Sequence, residues 1–299
     1  MKIGLVLEGG AMRGLYTSGV LDVFLKENII VDCIIGVSAG ALFGINYCSN
    51  QPGRVLRYQK KYVKEKDYIG LRTFLKTGNI INKELAYYDI PRKYDIFDEE
   101  TFQKSKTKFY AVVTNIKTGQ AEYIQITDTK KQIKVFEATG AMPFVSKIVE
   151  IGNEKYLDGA LADSIPVEKM RELGYDKIIV VLTKPAGYRK KKSPSFMAEK
   201  RYKDYPKLVE AINSRYLHYN ATLDKIKQLE ESKEIFVIRP SKKIKMSRME
   251  KDPAKIEEMY NLGVTDTNNI INNLKAYLEE NTQIVNAKEA SLTDDKVKI

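Results

Sequence analysis

Gly36-Val37-Ser38-Ala39-Gly40 sets a serine between two glycines, one at each side two residues away. The pattern is that of a nucleophile elbow. On a very tight strand-to-helix turn, only neighbours with almost no side chain leave a serine hydroxyl clear of the backbone and facing a substrate. The flanks suit such a turn. Asp32 to Ile35, with Val37, has the character of a short buried strand, and Ala39 to Gly44 is rich in the small residues of a helix packed close against a sheet. A serine just ahead of a helix is also the commonest N-cap. A cap has no need of two flanking glycines, so Ser38 is read as a nucleophile.

A serine hydroxyl is a poor nucleophile until something takes its proton, and the usual acceptor is histidine. The chain has one, His218. It falls on a predicted long helix, about 200° round the axis from the apolar stripe, and so reads as a solvent-facing residue. A carboxylate is the other choice. Asp158 is the best placed, following a strand and preceding Gly159 and Ala160, with little side-chain bulk around it. Asp-Gly is equally a common turn pair, so spacing alone leaves Asp158 open between base and turn residue.

The elements around these residues place both at one end of a sheet. Residues 2–8 read as a strand, followed by the turn Gly9-Gly10-Ala11-Met12-Arg13-Gly14 and a helix with Leu21, Phe24 and Leu25 on one side. Strand, glycine turn, helix, strand, elbow, helix is the opening of a parallel sheet wound by right-handed crossovers. Active sites in such sheets lie at the carboxyl ends of strands, where the glycine turn and Ser38 both fall. Residues 52–66 form a helix with Val55, Tyr58 and Tyr62 on one stripe. Arg54, Arg57, Lys61 and Lys64 make another, read as a solvated face or as a surface for an anionic membrane. Residues 67–106 give few signals beyond a turn at Gly78-Asn79. Hairpins follow at 108–126 and 145–157, separated by a helix over 130–138. Pro166 opens a helix that Gly174 ends, and 177–183 is a β-branched strand.

Beyond it the composition shifts. Arg189 to Lys192 reads as a boundary or exposed loop. A long helix runs over 206–230, residues 235–238 form a short strand returning to the sheet edge, and a basic loop carries Lys242, Lys243, Lys245 and Arg248. Asp252-Pro253 starts a last helix. The expected division is 1–184 as an α/β catalytic domain, 185–280 as a mainly helical region and 281–299 as a mobile tail.

At 299 residues with 43% apolar composition the chain can bury a full α/β core, and with 30% charged residues it has no apolar run long enough to cross a membrane. The apolar run at Ile3–Leu7 is too short for a signal peptide, which points to a cytoplasmic protein. Cys33 and Cys48 have no metal-like spacing, and one histidine argues against a zinc site. The formal charge of +11, from 50 Lys and Arg against 39 Asp and Glu, favours anionic partners. The basic residues are dispersed and no zinc finger or aromatic RNA-binding motif occurs, so nucleic acid is set aside in favour of an anionic membrane face.

Taken together and in order, Glu8 to Gly14, Gly36 to Gly40 and Asp158-Gly159-Ala160 resemble the motifs of the patatin-like phospholipase family, over about residues 1–184. Leu15 to Asp22 is similar to its bacterial members. The resemblance implies a three-layer α/β sandwich with a central, mostly parallel sheet, here with a C-terminal helical extension. It implies a Ser-Asp dyad, with Ser38 as nucleophile and Asp158 as proton acceptor, and an oxyanion loop donating from Gly9, Gly10 and Ala11. Arg13 would steady that loop and its positive field, Gly14 would mark close helix packing, and Gly36, Gly40 and Gly159 would support the two turns. The family's usual third glycine is Ala11 here, where a positive φ is costly. No metal or cofactor is implied. The expected activity is hydrolysis of lipid acyl esters, of the phospholipase A type, with peripheral contact to an anionic membrane surface. The rivals are an acyltransferase or thioesterase using the same serine, and a non-catalytic module that binds anionic surfaces.

Overall fold

A computed structural model describes residues 1–194 and 196–294, with side chains through Glu280. Eight strands form one sheet: β1 (Ile3–Leu7), β2 (Cys33–Val37), β3 (Lys108–Asn115), β4 (Ala121–Ile126), β5 (Val149–Ile151), β6 (Glu154–Asp158), β7 (Lys177–Val181) and β8 (Ile235–Ile238). Their order is β5-β6-β3-β2-β1-β7-β8, with β4 paired to β3 off this path. Pairs β3–β2–β1–β7–β8 are parallel, whereas β3–β4, β3–β6 and β5–β6 are antiparallel.

The apolar runs of β1, β2 and β7 explain their central places, because a parallel strand covered on both faces needs no polar side. Alternate residues feed two cores. Leu5, Leu7, Ile34 and Val181 join one cluster, and Val6, Ile35, Val37 and Val180 join the other. The helices are α1 (Gly14–Lys26), α2 (Ala39–Cys48), α3 (Arg54–Tyr62), α4 (Leu71–Thr77), α5 (Glu99–Lys104), α6 (Ile133–Thr139), α7 (Val167–Glu172), α8 (Phe196–Arg201), α9 (Pro206–Glu231) and α10 (Pro253–Asp294). Leu15 and Phe24 of α1 and Met259 and Leu274 of α10 cover the first face, and Met170 of α7 and Tyr219 and Ile226 of α9 the second. The result is the three-layer, mostly parallel α/β architecture expected, and β8 does return to the sheet edge beside β7.

The stretch from 67 to 106 is more ordered than its pattern suggests. It holds α4, α5 and an eleven-residue π-helical segment, Glu84–Tyr94, with Pro91 inside it. Its half-apolar composition gives no clean period, because wide π turns break the 3.6-residue spacing. The basic stripe on α3 also needs correction. Arg57, Lys61 and Lys64 are exposed, but Arg54 is buried, donating to Asn46 Oδ1 at 2.7 Å and pairing with Asp95. Arg189, in the expected exposed loop, is exposed and pairs with Asp224 of α9. The tail expected from residue 281 begins inside α10, whose backbone is helical to Asp294. Residues 295–299 lie outside the described part.

α10 crosses α1 at two glycines. A Cβ on Gly263 would lie 2.1 Å from the Tyr16 carbonyl oxygen, and one on Gly19 would lie 2.2 Å from the Tyr260 oxygen. Two backbones in such contact cannot part slightly without opening the core between them. Gly263→Ala therefore destabilises the fold despite the better helix propensity of alanine. Urea unfolding should show a loss of about 1–3 kcal/mol, the cost of overpacking a tight contact.

Candidate active site

β2 ends at Val37, and the chain turns at once into α2 with Ser38 between them. Ser38 has φ 53° and ψ −123°, a conformation that costs a non-glycine residue about 1–3 kcal/mol. The surroundings hold it there. Its N–H donates to Thr139 Oγ1 at 2.9 Å, and the Thr139 hydroxyl donates to the Val112 carbonyl at 2.6 Å. The flanking glycines are required by contact: a Cβ on Gly36 would meet Ala41 Cα at 2.7 Å, and one on Gly40 would meet the Leu7 carbonyl oxygen at 2.5 Å.

The register of β3 brings Asp158 to this turn. Val112 pairs with Val37 and Val113 with Asp158, so β2 and β6 follow one another along the same edge of β3, opposite β4. Ser38 Oγ donates to Asp158 Oδ2 at 2.7 Å, and the Ala160 N–H donates to Oδ1 at 2.9 Å. The Asp158 backbone is held as well, its N–H donating to Ala141 O and its carbonyl accepting from Thr114 Oγ1, each at 2.9 Å. Gly159 has no room for a side chain, since a Cβ would lie 2.2 Å from the Val112 oxygen. Ser38 is 8% exposed and Asp158 5%. Burial pushes the Asp158 carboxyl above its usual range, opposed by the Ala160 N–H, the Arg215 charge, the Ser38 hydroxyl and Arg248. A hydroxyl bonded to a carboxylate of raised basicity is arranged to give up its proton.

The glycine turn at the end of β1 lies against this pair. A Cβ on Gly9 would come within 3.1 Å of Ser38 Cβ, and one on Gly10 within 2.7 Å of Thr183 Oγ1. Ala11 does take the positive φ that its side chain disfavours, 49°. Among the described residues the N–H groups of Gly9, Gly10 and Ala11 have no backbone acceptor, while Arg13 N–H closes the turn onto Gly10 O at 3.1 Å. Gly14 packs α1 on α2, its missing Cβ leaving 2.8 Å to Ala39 Cβ. Arg13 is half-buried, and its Nε is buried without a hydrogen-bond partner. Burial presses its guanidinium pKa down, and the Glu8 charge opposes this.

Ser38 and Ala11 line a cavity of ≈ 170 Å³ whose other walls include Leu42, Phe43, Ile90 and Phe136. Its apolar lining suits a hydrocarbon chain. His218 is exposed on α9 and does not line this cavity.

Four residues that touch or adjoin the site were given no role there by the sequence. Thr139 ends a short helix, and only its contacts with Ser38 and Val112 mark it. Glu8, 2% exposed, accepts from Thr183 N–H at 2.6 Å and from the Tyr219 hydroxyl at 2.6 Å. Arg215 donates to Ser164 Oγ at 3.4 Å, and Arg248 lines the Ser38 cavity. The period of α9 hints at Arg215 alone, since it stands one helical turn before the buried Tyr219.

A family model described as patatin-like phospholipase matches residues 5–171, and a domain of unknown function, DUF6363, matches residues 205–279. Uncharacterized protein YjjU of Escherichia coli (strain K12) is 29% identical over 191 residues, covering 62% of this chain and 53% of that protein. Lysophospholipase nte1 of Aspergillus niger is 27% identical over 191 residues, covering 60% of this chain and 12% of that protein. The chain thus spans about half the length of the first relative and a small part of the second. A crystal structure of VipD from Legionella pneumophila superposes with a TM-score of 0.44 at 13% identity, over 91% of this chain and 67% of that one, a likeness too loose to bear on function. The match over residues 5–171 runs through more than half of the sequence and takes in Gly9, Ser38 and Asp158 alike, and this chain belongs to the patatin-like phospholipase family.

Proposed function

We propose that the chain is a lipid acyl ester hydrolase of the phospholipase A type, with Ser38 as nucleophile and Asp158 as its base. The reading rests on one observation: a strained serine donates its hydroxyl to a buried carboxylate in the wall of an apolar cavity. An acyl chain enters the cavity and places its ester carbonyl over Ser38. Asp158 takes the hydroxyl proton as Oγ bonds to the carbonyl carbon, and the charge that gathers on the carbonyl oxygen is held by the N–H groups of Gly9, Gly10 and Ala11. One such donor is worth about 3 kcal/mol. The tetrahedral adduct collapses, the C–O bond to the alcohol breaks, and the alcohol leaves with the proton from Asp158. Water, deprotonated by Asp158, then attacks the acyl-serine, and breaking of the carbonyl carbon–Oγ bond releases the fatty acid and restores the Ser38 hydroxyl.

Exposed Lys61 on α3 and Lys64 just after it, within a chain of net charge +11, support peripheral contact with an anionic bilayer. Each well-placed basic residue adds about 1 kcal/mol there. The acyltransferase and thioesterase rivals differ only in the group that accepts the acyl chain. A histidine-dependent version is disfavoured by the exposure of His218.

A long-chain fluorophosphonate should label the wild type at Ser38, as peptide mass mapping reads it. Ser38→Ala should take no label and Asp158→Asn should take it at least about 100-fold more slowly, the usual worth of a general base. Label on another residue, or equal rates in Asp158→Asn, would defeat the assignment. His218→Ala should keep turnover within about twofold, the small effect of an exposed side chain away from the chemistry.

The raised pKa of Asp158 also has a consequence for stability. A carboxyl that holds its proton more tightly folded than unfolded opposes folding once pH exceeds both values, and the penalty fades as pH falls through the folded value. Asp158→Asn should therefore be more stable than the wild type at pH 8, by about 1 kcal/mol as at other relieved active sites. Thermal melts should show the gap closing as pH falls through the raised carboxyl value.

A further inference from the structure

Five cationic side chains from four separate segments stand near the Ser38–Asp158 pair, Arg248 in the wall of its cavity and Arg215 close enough for its charge to act on Asp158. Arg13 comes from the glycine turn, Lys184 and Lys190 from the segment after β7, Arg215 from α9, and Arg248 from the loop before α10. The segments that carry them are tied into place. Arg215 donates through Nε and Nη2 to Ser164 Oγ, six residues past Asp158, and Ser164 Oγ donates to Ala160 O at 2.7 Å. The Arg248 carbonyl accepts from Met12 N–H at 3.5 Å. Lys190 exchanges hydrogen bonds with Asn220 of α9, and its Nζ stands 4.5 Å from the centre of the Tyr219 ring. Lys184 Nζ lies 5.0 Å from the Tyr188 ring centre.

None of these cations has a direct ion-pair partner among the described residues. Arg248 is close enough to repel Arg13, Lys184, Lys190 and Arg215 alike. The carboxylates whose charge bears on them are Glu8 and Asp158. Glu8 is already bonded to Thr183 and Tyr219, and Asp158 to Ser38 and Ala160. Burial, joined by the neighbouring cations, pulls Lys190 down to about 7 and Lys184 down to about 8. Four of the five are half-buried, and Arg13 Nε is enclosed without a partner. Like charges gathered out of water are unfavourable unless an anion comes to meet them.

We propose that these five side chains bind the phosphoryl group of the substrate, so that the enzyme takes glycerophospholipids with an accessible phosphate in preference to uncharged acyl esters. The inference rests on the hydrolase reading of Ser38. Guanidinium forks suit tetrahedral phosphate oxygens, and the two lysines add mobile point charges. The phosphorus of a glycerophospholipid is only a few bonds from its ester carbonyl, which matches cations adjoining Ser38, one of which, Arg248, lines the acyl cavity itself. Lys184, Lys190, Arg215 and Arg248 all lie outside residues 5–171, so the phosphate site is supplied by the C-terminal half of the chain.

The test uses the full chain with Ser38→Ala, so that ligands bind without turnover. Titration calorimetry compares dioctanoyl phosphatidic acid below its micellar concentration, dioctanoylglycerol and inorganic phosphate. Phosphatidic acid should bind at least tenfold more tightly than dioctanoylglycerol, and the margin should vanish when Lys190→Gln and Arg215→Gln are added together. Arg215→Lys, which keeps the charge, should retain most of it. Equal binding of the two lipids, or a margin that survives the double substitution, overturns the proposal. Inorganic phosphate binding as tightly as phosphatidic acid, with loss in the same double variant, makes free phosphate the ligand and overturns the headgroup assignment. Ester hydrolysis by the Ser38 enzyme is measured separately. A binding margin with no hydrolysis of either lipid leaves the phosphate site standing and removes the hydrolase reading. Hydrolysis of both with no margin does the reverse.

Discussion

One edge of β3 has to be shared by two strands. β2 pairs with residues 108–112 and then leaves the sheet at Ser38, so the backbone groups of β3 from Val113 onward would be orphaned in a buried layer. Unpaired backbone groups there are costly, and β6 takes the vacant positions, pairing Asp158 with Val113. The serine and the carboxylate, 120 residues apart in sequence, meet because the same strand edge that loses one strand at the elbow gains another at the next residue. The requirement extends outward. Gly159 must lack a side chain because its backbone lies on the Val112 carbonyl, and Thr139 fits between that same carbonyl and the Ser38 N–H. Val112 is thus the point about which both turns are set.

The electrostatics follow from placing a carboxylate inside this junction. Burial raises its proton affinity, and the Ala160 N–H and the Arg215 charge hold it back. In the proposed reaction a proton moving from Ser38 to Asp158 would take negative charge off the carboxylate, and it would reappear on the attacked carbonyl oxygen. On that proposal the charge would stay within reach of Arg215 and Arg248, whose charges act on Asp158. Dipoles and charges fixed before a reaction need no reorganisation during it, which is the advantage the proposed mechanism would draw from the N–H groups of the glycine turn.

Much of this was legible in the sequence because it depends on small residues with no freedom to vary. Gly36, Gly40, Gly159 and Gly14 each fill a contact that admits no Cβ, and glycines at such spacings mark turns whatever surrounds them. The strands were legible for a similar reason, since runs such as Lys177–Val181 have one stable place, the middle of a covered sheet. Two kinds of feature were not. The π-helical segment at 84–94 obeys neither the period of a helix nor that of a strand. Arg54 looks like an ordinary solvated helix residue, because a charge becomes interior only through what is folded over it, here Asp95 and Asn46. Sequence spacing reports local geometry, whereas burial of a long cationic side chain is settled by distant segments.

Those distant segments are not an optional covering on the family fold. Glu8 stands at the end of β1, buried and carrying the first residue of the glycine turn, and one of its oxygens is satisfied by Tyr219 of α9. Without α9 that carboxylate would face either water or an unpaired interior, and the turn that follows it would lose its anchor. Met12 in the same turn donates to the Arg248 carbonyl, and α10 is fixed on α1 through Gly19 and Gly263. The glycine turn is therefore held from one side by the strands of the matched family region and from the other by the C-terminal helices.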